Sequence, residues 1–534
     1  MSTLESARYR TGAAALLGLL VSNLSLATPP AAPIVEYSAN VKQVILDWEI
    51  LPRSNYYELW FKANNSAAPV KFDERRPWDP HWANNVAAHL LNWDEARWEV
   101  RACNFSGCSS SGLINIGSTI AEAVGFFHSP QPASGKQFAS RVAISEDGKT
   151  IAANCGSKIY VFRRGGNGWR VETGFVPLPA AAAYSNVQLA LSGDGNTLAI
   201  GMEDDRSDRV DPAQPPHGSV VVMRRTGSTW RVEQHFLNSE SSYLGRIVRL
   251  SESGDTILFS QFSAPQFGGI YLLEIHQRSS AGWARQGSLA VSGTDASCRD
   301  FTLSGDGRVV VRSCGSGSAV RVDTYVAPTW THRDAIFLPP PEPVTPEIFY
   351  IGGTVATNYD GTLIAARTLS GPNSGDDAAH WKPQVSVYRR DGSDYQKVAT
   401  LAPSRFASTD NGRRSLFGAD VAVSRDGGYV AVIDTSDTIG GLVISPPTSS
   451  GEPVPPRGAV YLFERRGETY ALRRHVGVST VPSATTKPTV SNVAFADNGR
   501  AMVVGEPSNR SNGTGPGDGR YDQSLNSAGA FWLY

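Results

Sequence analysis

From residue 142 onward, apolar and polar positions repeat one arrangement seven times. Each copy opens with a short alternating apolar run, passes a tight turn, and continues as a second apolar run. The copies read Val142-Ala-Ile-Ser-Glu-Asp147-Gly148, Leu189-Ala-Leu-Ser-Gly-Asp194-Gly195, Val248-Arg-Leu-Ser-Glu-Ser253-Gly254 and Phe301-Thr-Leu-Ser-Gly-Asp306-Gly307. Val355-Ala-Thr-Asn-Tyr-Asp360-Gly361, Val421-Ala-Val-Ser-Arg-Asp426-Gly427 and Val493-Ala-Phe-Ala-Asp-Asn498-Gly499 complete the set. Strict alternation predicts strands, and glycine suits the left-handed position of a hairpin turn. Self-similarity at spacings of 47 to 72 residues in an all-β pattern predicts a repeat array, a propeller first of all.

A third strand follows each hairpin, as in Ile159-Tyr-Val-Phe162, Val220-Val-Val-Met223, Val460-Tyr-Leu-Phe463 and Ala530-Phe-Trp-Leu533. In five copies an Arg and then an aromatic come next: Arg164/Trp169, Arg225/Trp230, Arg278/Trp283, Arg390/Tyr395 and Arg466/Tyr470. That aromatic opens a fourth strand, and four strands are what a propeller blade requires. Recurrence in nearly every copy marks these aromatics as packing between units rather than a ligand platform. Copy seven shows only three strands. The segment Ala123-Val-Gly-Phe-Phe-His128 has the character of a fourth strand and is expected to close the ring, removing an exposed edge.

The expected organisation is therefore a leader at 1–27, a linker at 28–33, a small sandwich at 34–115 and a seven-bladed β-propeller at 121–534, closed by the strand near 123–128. The leader reading rests on Arg8 and Arg10 ahead of the apolar run Gly12–Val21, with Ser25-Leu-Ala27 as a cleavage site. No later stretch reaches 18 apolar residues, so no membrane span is expected. An exported protein, periplasmic or secreted, follows. Gly and Pro together make up about a sixth of the 534 residues, and the net charge is −1. That balance carries no basic footprint, which argues against a nucleic-acid partner.

Cysteine usage suits an oxidising compartment. Cys298 and Cys314 lie eight positions either side of Asp306, where a regular hairpin sets them opposite each other. Cys103 and Cys108 flank a four-residue loop. Two disulfides are expected, Cys103–Cys108 and Cys298–Cys314, leaving Cys155 odd. Cys155 aligns with Cys314 in the repeat, so a swapped pairing stays open.

Val44-Ile-Leu-Asp-Trp48, Tyr56-Tyr-Glu-Leu-Trp60 and Trp98-Glu-Val-Arg-Ala-Cys103 alternate as sandwich strands. Trp48, Tyr57 and the run Trp98-Glu-Val-Arg-Ala-Cys-Asn-Phe-Ser-Gly107 resemble a fibronectin type III domain. The usual Tyr of that corner is Trp98 here, and the Cys pair is an addition. The resemblance implies a spacer or adhesion unit. The stretch Phe72-Asp-Glu-Arg-Arg-Pro-Trp78-Asp-Pro-His81-Trp82 offers Trp78 and Trp82 as sugar-stacking candidates; the plainer reading is a loop packed on the sandwich.

Phe417-Gly418-Ala-Asp-Val421-Ala-Val-Ser-Arg-Asp-Gly427 together with Gly458-Ala-Val-Tyr-Leu-Phe463 resembles the FG-GAP repeat of bacterial exported proteins, related to the integrin α-chain propeller. Leu244-Gly245 and Gly505-Glu-Pro507 approximate parts of the same motif. The resemblance implies a non-catalytic extracytoplasmic interaction domain whose partner is a protein or glycan. Calcium is not expected at the short Asp-Gly turns, where one carboxylate cannot supply six to eight oxygens; no other cofactor is implied, and only the long loops could hold calcium. Gly-x-Ser-x-Gly and His-Glu-x-x-His are both absent. An enzyme built from loop residues, acting on an envelope or extracellular glycan or ester, is the alternative.

The loops joining second to third strands are long in copies two, five, six and seven, and long loops in compact repeats are usually functional or disordered. Their acidic residues are the candidate binding set: Asp204 and Asp205; Asp376 and Asp377, with His380 and Trp381 beside them; Asp434 and Asp437; Asp518 and Asp522.

Overall fold

In the computed structural model the described residues are 28–166, 168–178, 187–206, 216–237, 243–262, 271–291, 298–314, 319–337, 347–372, 382–403, 416–437, 442–443, 458–477, 490–514 and 524–534. The leader reading at 1–27 lies outside them. The chain divides into two compact units, one of Met1–Val86 with Leu91–Ala123 and one of Ala87–Leu90 with Val124–Tyr534. Nearly all regular structure is antiparallel strand. No helix among the described residues is long and apolar enough to cross a membrane.

The N-terminal unit holds a three-stranded sheet, Val35–Asn40, Gln43–Trp48 and His81–Asn85, and a four-stranded one. The second runs Val70–Arg75, Tyr56–Lys62, Arg97–Asn104, Gly107–Ser110. Alternation decides which side chains are interior: Val44, Leu46 and Trp48 from one sheet, Tyr57, Leu59, Trp98 and Val100 from the other, are all buried. Trp48 meets Tyr57 edge-on at 5.3 Å. The Tyr57 hydroxyl accepts the Leu51 amide at 2.8 Å, so the one polar atom of that ring is satisfied. Cys103 and Cys108 stand opposite each other in the hairpin register and are joined, S–S 2.01 Å.

Among the described residues the C-terminal unit holds seven sheets. Their first strands are Val142–Ile144, Val187–Leu191, Val248–Leu250, Cys298–Leu303, Glu347–Thr357, Phe417–Val423 and Val493–Ala496. Within each sheet the strands pair in chain order, with two exceptions. Sheet six carries a fifth short strand, Leu442–Val443, parallel to its outer strand. Sheet seven takes Gly125–His128 as its outer strand, antiparallel to Ala530–Leu533. First strands pack against first strands in order, and sheet seven packs against sheet one, so the contacts form a closed cycle.

The turns explain why these sequences fold this way. All seven turn glycines have positive φ, 65° to 83°. In Ser-x-Asp-Gly the serine hydroxyl accepts the amide five residues on and donates to the aspartate: Thr150 N–H meets Ser145 Oγ at 3.0 Å, and Ser192 Oγ meets Asp194 at 2.6 Å. The aspartate caps the amide two residues on, as Asp194 does by accepting the Asn196 N–H at 2.9 Å. Each Asp is therefore consumed by its own turn. Neighbouring turns are also sewn together by their backbones. Asp147 N–H donates to Gly193 O, Gly193 N–H to Glu252 O, Glu252 N–H to Gly305 O and Asp306 N–H to Tyr359 O. Tyr359 N–H donates to Arg425 O, and Asp497 N–H to Glu146 O, returning to sheet one.

The recurrent aromatics join sheet to sheet or strand to turn. Arg225 and Trp230 of sheet two both donate to Glu172 of sheet one, Arg225 Nε at 2.9 Å and Trp230 Nε1 at 3.1 Å. Arg278 and Trp283 of sheet three repeat this on Glu233 of sheet two. Trp169 of sheet one packs on Phe127 of the outer strand of sheet seven, 5.6 Å between centroids. The tyrosines differ: Tyr395 and Tyr470 donate to the turn carbonyls of Gly361 and Gly427 in their own sheets.

Candidate functional site

Counting back from the turn serine, or the residue in its place, the fourth residue, in or just ahead of the first strand, is Arg141, Gln188, Ile247, Asp300, Thr354, Asp420 and Asn492 in sheets one to seven. Six of the seven are polar, and the residue after each of those six is Val, Leu or Phe. The cyclic packing of first strands brings these seven to one cavity of about 640 Å³. Two positions further along stand five alanines, Ala143, Ala190, Ala356, Ala422 and Ala494, with Arg249 and Thr302 as exceptions. Glu203 and Arg246 line the same cavity. No turn residue lines it. First strands begin at the end where the second-to-third-strand loops also lie, so the recess belongs to the loop end and the sewn turns to the other.

Four of the polar positions tie one sheet to the next. Asp300 accepts the Val355 amide at 3.0 Å and also pairs with Arg249 at 3.2 Å. The Thr354 hydroxyl donates to Gly418 O at 3.0 Å. Asp420 accepts the Val493 amide at 2.9 Å, and the Asn492 amide donates to Val142 O at 2.8 Å. Burial pushes the Asp420 carboxyl up to about 6, helped by the nearby Asp300 charge, while its hydrogen bond from Val493 pulls the other way. Burial raises Asp300 as well. Arg141 donates to its neighbour Ser140 O at 2.9 Å and makes no ion pair among the described residues. Gln188 has no side-chain partner among the described residues.

At the turn end a second charged group gathers. Arg425 pairs with Glu252 at 3.0 Å and lies 4.0 Å over the Tyr359 ring. Burial, then the Glu252 charge, raise the Glu146 carboxyl to about 7 against the Asn498 amide that it accepts.

The sequence-predicted loop acids fall in different places. Asp205, Asp434 and Asp437 are buried, 1% to 3% exposed. Asp205 accepts from Ser219 Oγ, Asp434 from the Ser436 amide at 2.9 Å, and Asp437 from the Tyr461 hydroxyl at 2.7 Å with His475 beside it. Their loops are latched by backbone too: Gly218 N–H donates to Asp205 O at 3.1 Å, Gly458 N–H to Asp437 O at 2.9 Å, and Gly529 N–H to Asn509 O at 3.0 Å. These three acids fasten loop bases. Asp204 is half-buried. Asp376, Asp377, His380, Trp381, Asp518 and Asp522 lie outside the described residues.

In the N-terminal unit the tryptophan pair splits. Trp82 is 3% exposed and packs on Phe72 at 5.1 Å, which removes it as a stacking platform. Trp78 is 66% exposed, with the Arg76 guanidinium 5.7 Å over its ring. The cluster Glu58, Cys103 and Cys108 has metal-ligand spacing among the described residues, but the two sulfurs are bonded to each other. Cys298 and Cys314 are cross-strand partners in sheet four, while Cys155 is a half-buried thiol raised by its burial.

No protein-family model and no curated protein matches the sequence. Among solved structures, the WD40 domain of Toxoplasma gondii coronin aligns with 10% identity and TM-score 0.44, covering 76% of this chain and 84% of its own. A 6-phosphogluconolactonase, so named provisionally, from Bacteroides uniformis gives 14% identity, TM-score 0.40, and 72% and 89% coverage. The periplasmic gluconolactonase of Pseudomonas aeruginosa gives 13%, 0.36, and 80% and 100%. Likenesses at TM-scores this low decide nothing about this chain.

Proposed function

We propose that residues 124–534 form a seven-bladed β-propeller closed by Gly125–His128, that residues 34–115 form a fibronectin type III-like module, and that the protein is an exported, non-catalytic binding protein. The closed cycle of first-strand contacts supports the first reading. The three-plus-four sheet order supports the second. Its partner, an extracytoplasmic protein or glycan, sits on the loop end of the propeller, with calcium, if any, held by the long loops.

The observation that carries this is an asymmetry between the two ends. Backbone hydrogen bonds join six of the seven neighbouring pairs of turns at one end, while the recess and the variable loops share the other. Concave sites that gather a few polar groups are the usual ligand sites. The structure also sets where loops can be cut without touching their latches. Replacing 444–456 and 515–523 by short Gly linkers should abolish capture of the partner in pull-downs from envelope extract and on a polysaccharide panel. Full-strength capture by the trimmed protein would move the site elsewhere.

A second reading, hydrolysis of a glycan or ester, draws on Asp420, whose carboxyl near 6 suits proton transfer. Turnover of a glycan or ester panel without stable capture, abolished in Asp420→Asn, would favour it. Capture without turnover favours binding.

A further inference from the structure

Most of the polar ring in the cavity is committed to holding neighbouring sheets together, but one sector is not. Arg141 in sheet one and Gln188 in sheet two occupy the same register position on adjacent first strands. Both line the cavity, neither is bonded to the next sheet, and neither makes an ion pair among the described residues, while the Arg141 charge acts on Asp300 and Asp420 from further off. Of the other cavity charges, Arg246 faces Glu203 at 3.7 Å and Arg249 faces Asp300 at 3.2 Å. Asp420 alone is anionic without a cationic partner within ion-pair distance, and it sits on a backbone amide with its carboxyl near 6.

We propose that this sector is a binding site for a small hydroxylated carboxylate, a hydroxy acid or sugar acid. Arg141 takes the carboxylate through the paired donors of its guanidinium, the geometry for which that group is suited. Gln188 supplies one donor and one acceptor to an adjacent hydroxyl. The charge balance selects a monoanion. The lining carries three guanidiniums and three carboxylates, so with Asp420 protonated the balance is +1, which one carboxylate neutralises and a phosphate dianion would overcompensate. Four of the five alanines, Ala143, Ala190, Ala356 and Ala494, line the cavity and leave room in it, and its volume lies within the range of small-molecule sites. This site is separate from capture by the loops, so either can fail without the other.

The test is titration calorimetry on the full chain with D-glucuronate, D-galacturonate and L-lactate as probes, and D-glucose, D-glucosamine and inorganic phosphate as counter-probes. At least one carboxylate should bind saturably, and tenfold or more tighter than glucose. Arg141→Gln should weaken it at least tenfold, about 1.4 kcal/mol; Arg141→Lys should recover part of the loss, and Gln188→Ala should cost roughly two- to fivefold. The loop-trimmed protein should bind the probe as the parent does. A thermal melt on each variant separates lost binding from lost fold, and Arg141→Lys stands in if Arg141→Gln does not fold. The proposal is overturned if no carboxylate saturates below about 10 mM, if glucosamine or phosphate binds better, or if Arg141→Gln or a well-folded Arg141→Lys binds as tightly as the parent.

Discussion

At the scale of single residues, the ionisable groups inside the C-terminal unit make opposite contributions to stability. Asp420 has its carboxyl raised from 3.8 to about 6 by burial. Its folded pKa thus exceeds its unfolded one, and between those values the folded state holds a proton that the unfolded state has lost. Stability from this residue is complete below about pH 4 and declines as pH rises to about 6. Asp420→Asn keeps an acceptor for the Val493 amide and cannot ionise. It should be more stable than the parent at pH 8 by about 1–2 kcal/mol and indistinguishable near pH 3.5, read from denaturant melts at both pH values. Glu172 works the other way, since Arg225 and Trp230 both depend on it. Glu172→Ala should cost about 2–4 kcal/mol, because a mostly buried guanidinium loses its counter-charge. Sequence placed the turn aspartates correctly, since Ser-x-Asp-Gly is a local grammar. It missed the cavity positions, although aligning the repeats on the turn serine exposes a polar residue where the strand pattern calls for an apolar one. It named Asp205 and Asp437 as binding candidates without any sign that they are buried. An acid in a long loop reads as exposed unless its partners, Ser219 and Tyr461, are known to return beside it.

At the scale of elements, the hairpins, third strands and outer strands were legible because alternation and Asp-Gly turns are short-range signals. Leu442–Val443 was not, since two residues carry no period. The glycine ahead of the third strand has a geometric reason. Gly529 has φ 89°, and a Cβ there would fall 2.2 Å from the Phe138 carbonyl oxygen. Gly529→Ala should destabilise by at least about 2 kcal/mol, a forced backbone shift on top of a left-handed φ. Phe127 has a different burden. It stacks on Phe531 at 4.6 Å within sheet seven and touches Phe162 and Trp169 of sheet one. Phe127→Ala should cost about 3–5 kcal/mol. Because it loosens the seam between those two sheets, limited proteolysis should cut first near residues 125–142; cleavage unchanged from the parent would place the weak seam elsewhere.

At the scale of the whole molecule, two compact units and seven sheets were foreseeable from repeat spacing, while the loops that give each sheet its individuality were not, since Gly-, Pro- and Ser-rich insertions have no periodicity to read. The pairing of Gly125–His128 with Ala530–Leu533 has a consequence in time. The ribosome makes the outer strand of sheet seven first and its partners hundreds of residues later. Until they arrive, Phe126 and Phe127 have no sheet to join, and the cycle stays open. Sheets one to six can each form as they emerge, yet the assembly cannot lock until synthesis has passed the seventh. Closure therefore waits for the seventh sheet. A truncated product would carry an unpaired, aromatic β-edge, the kind of surface that chaperones and proteases take up.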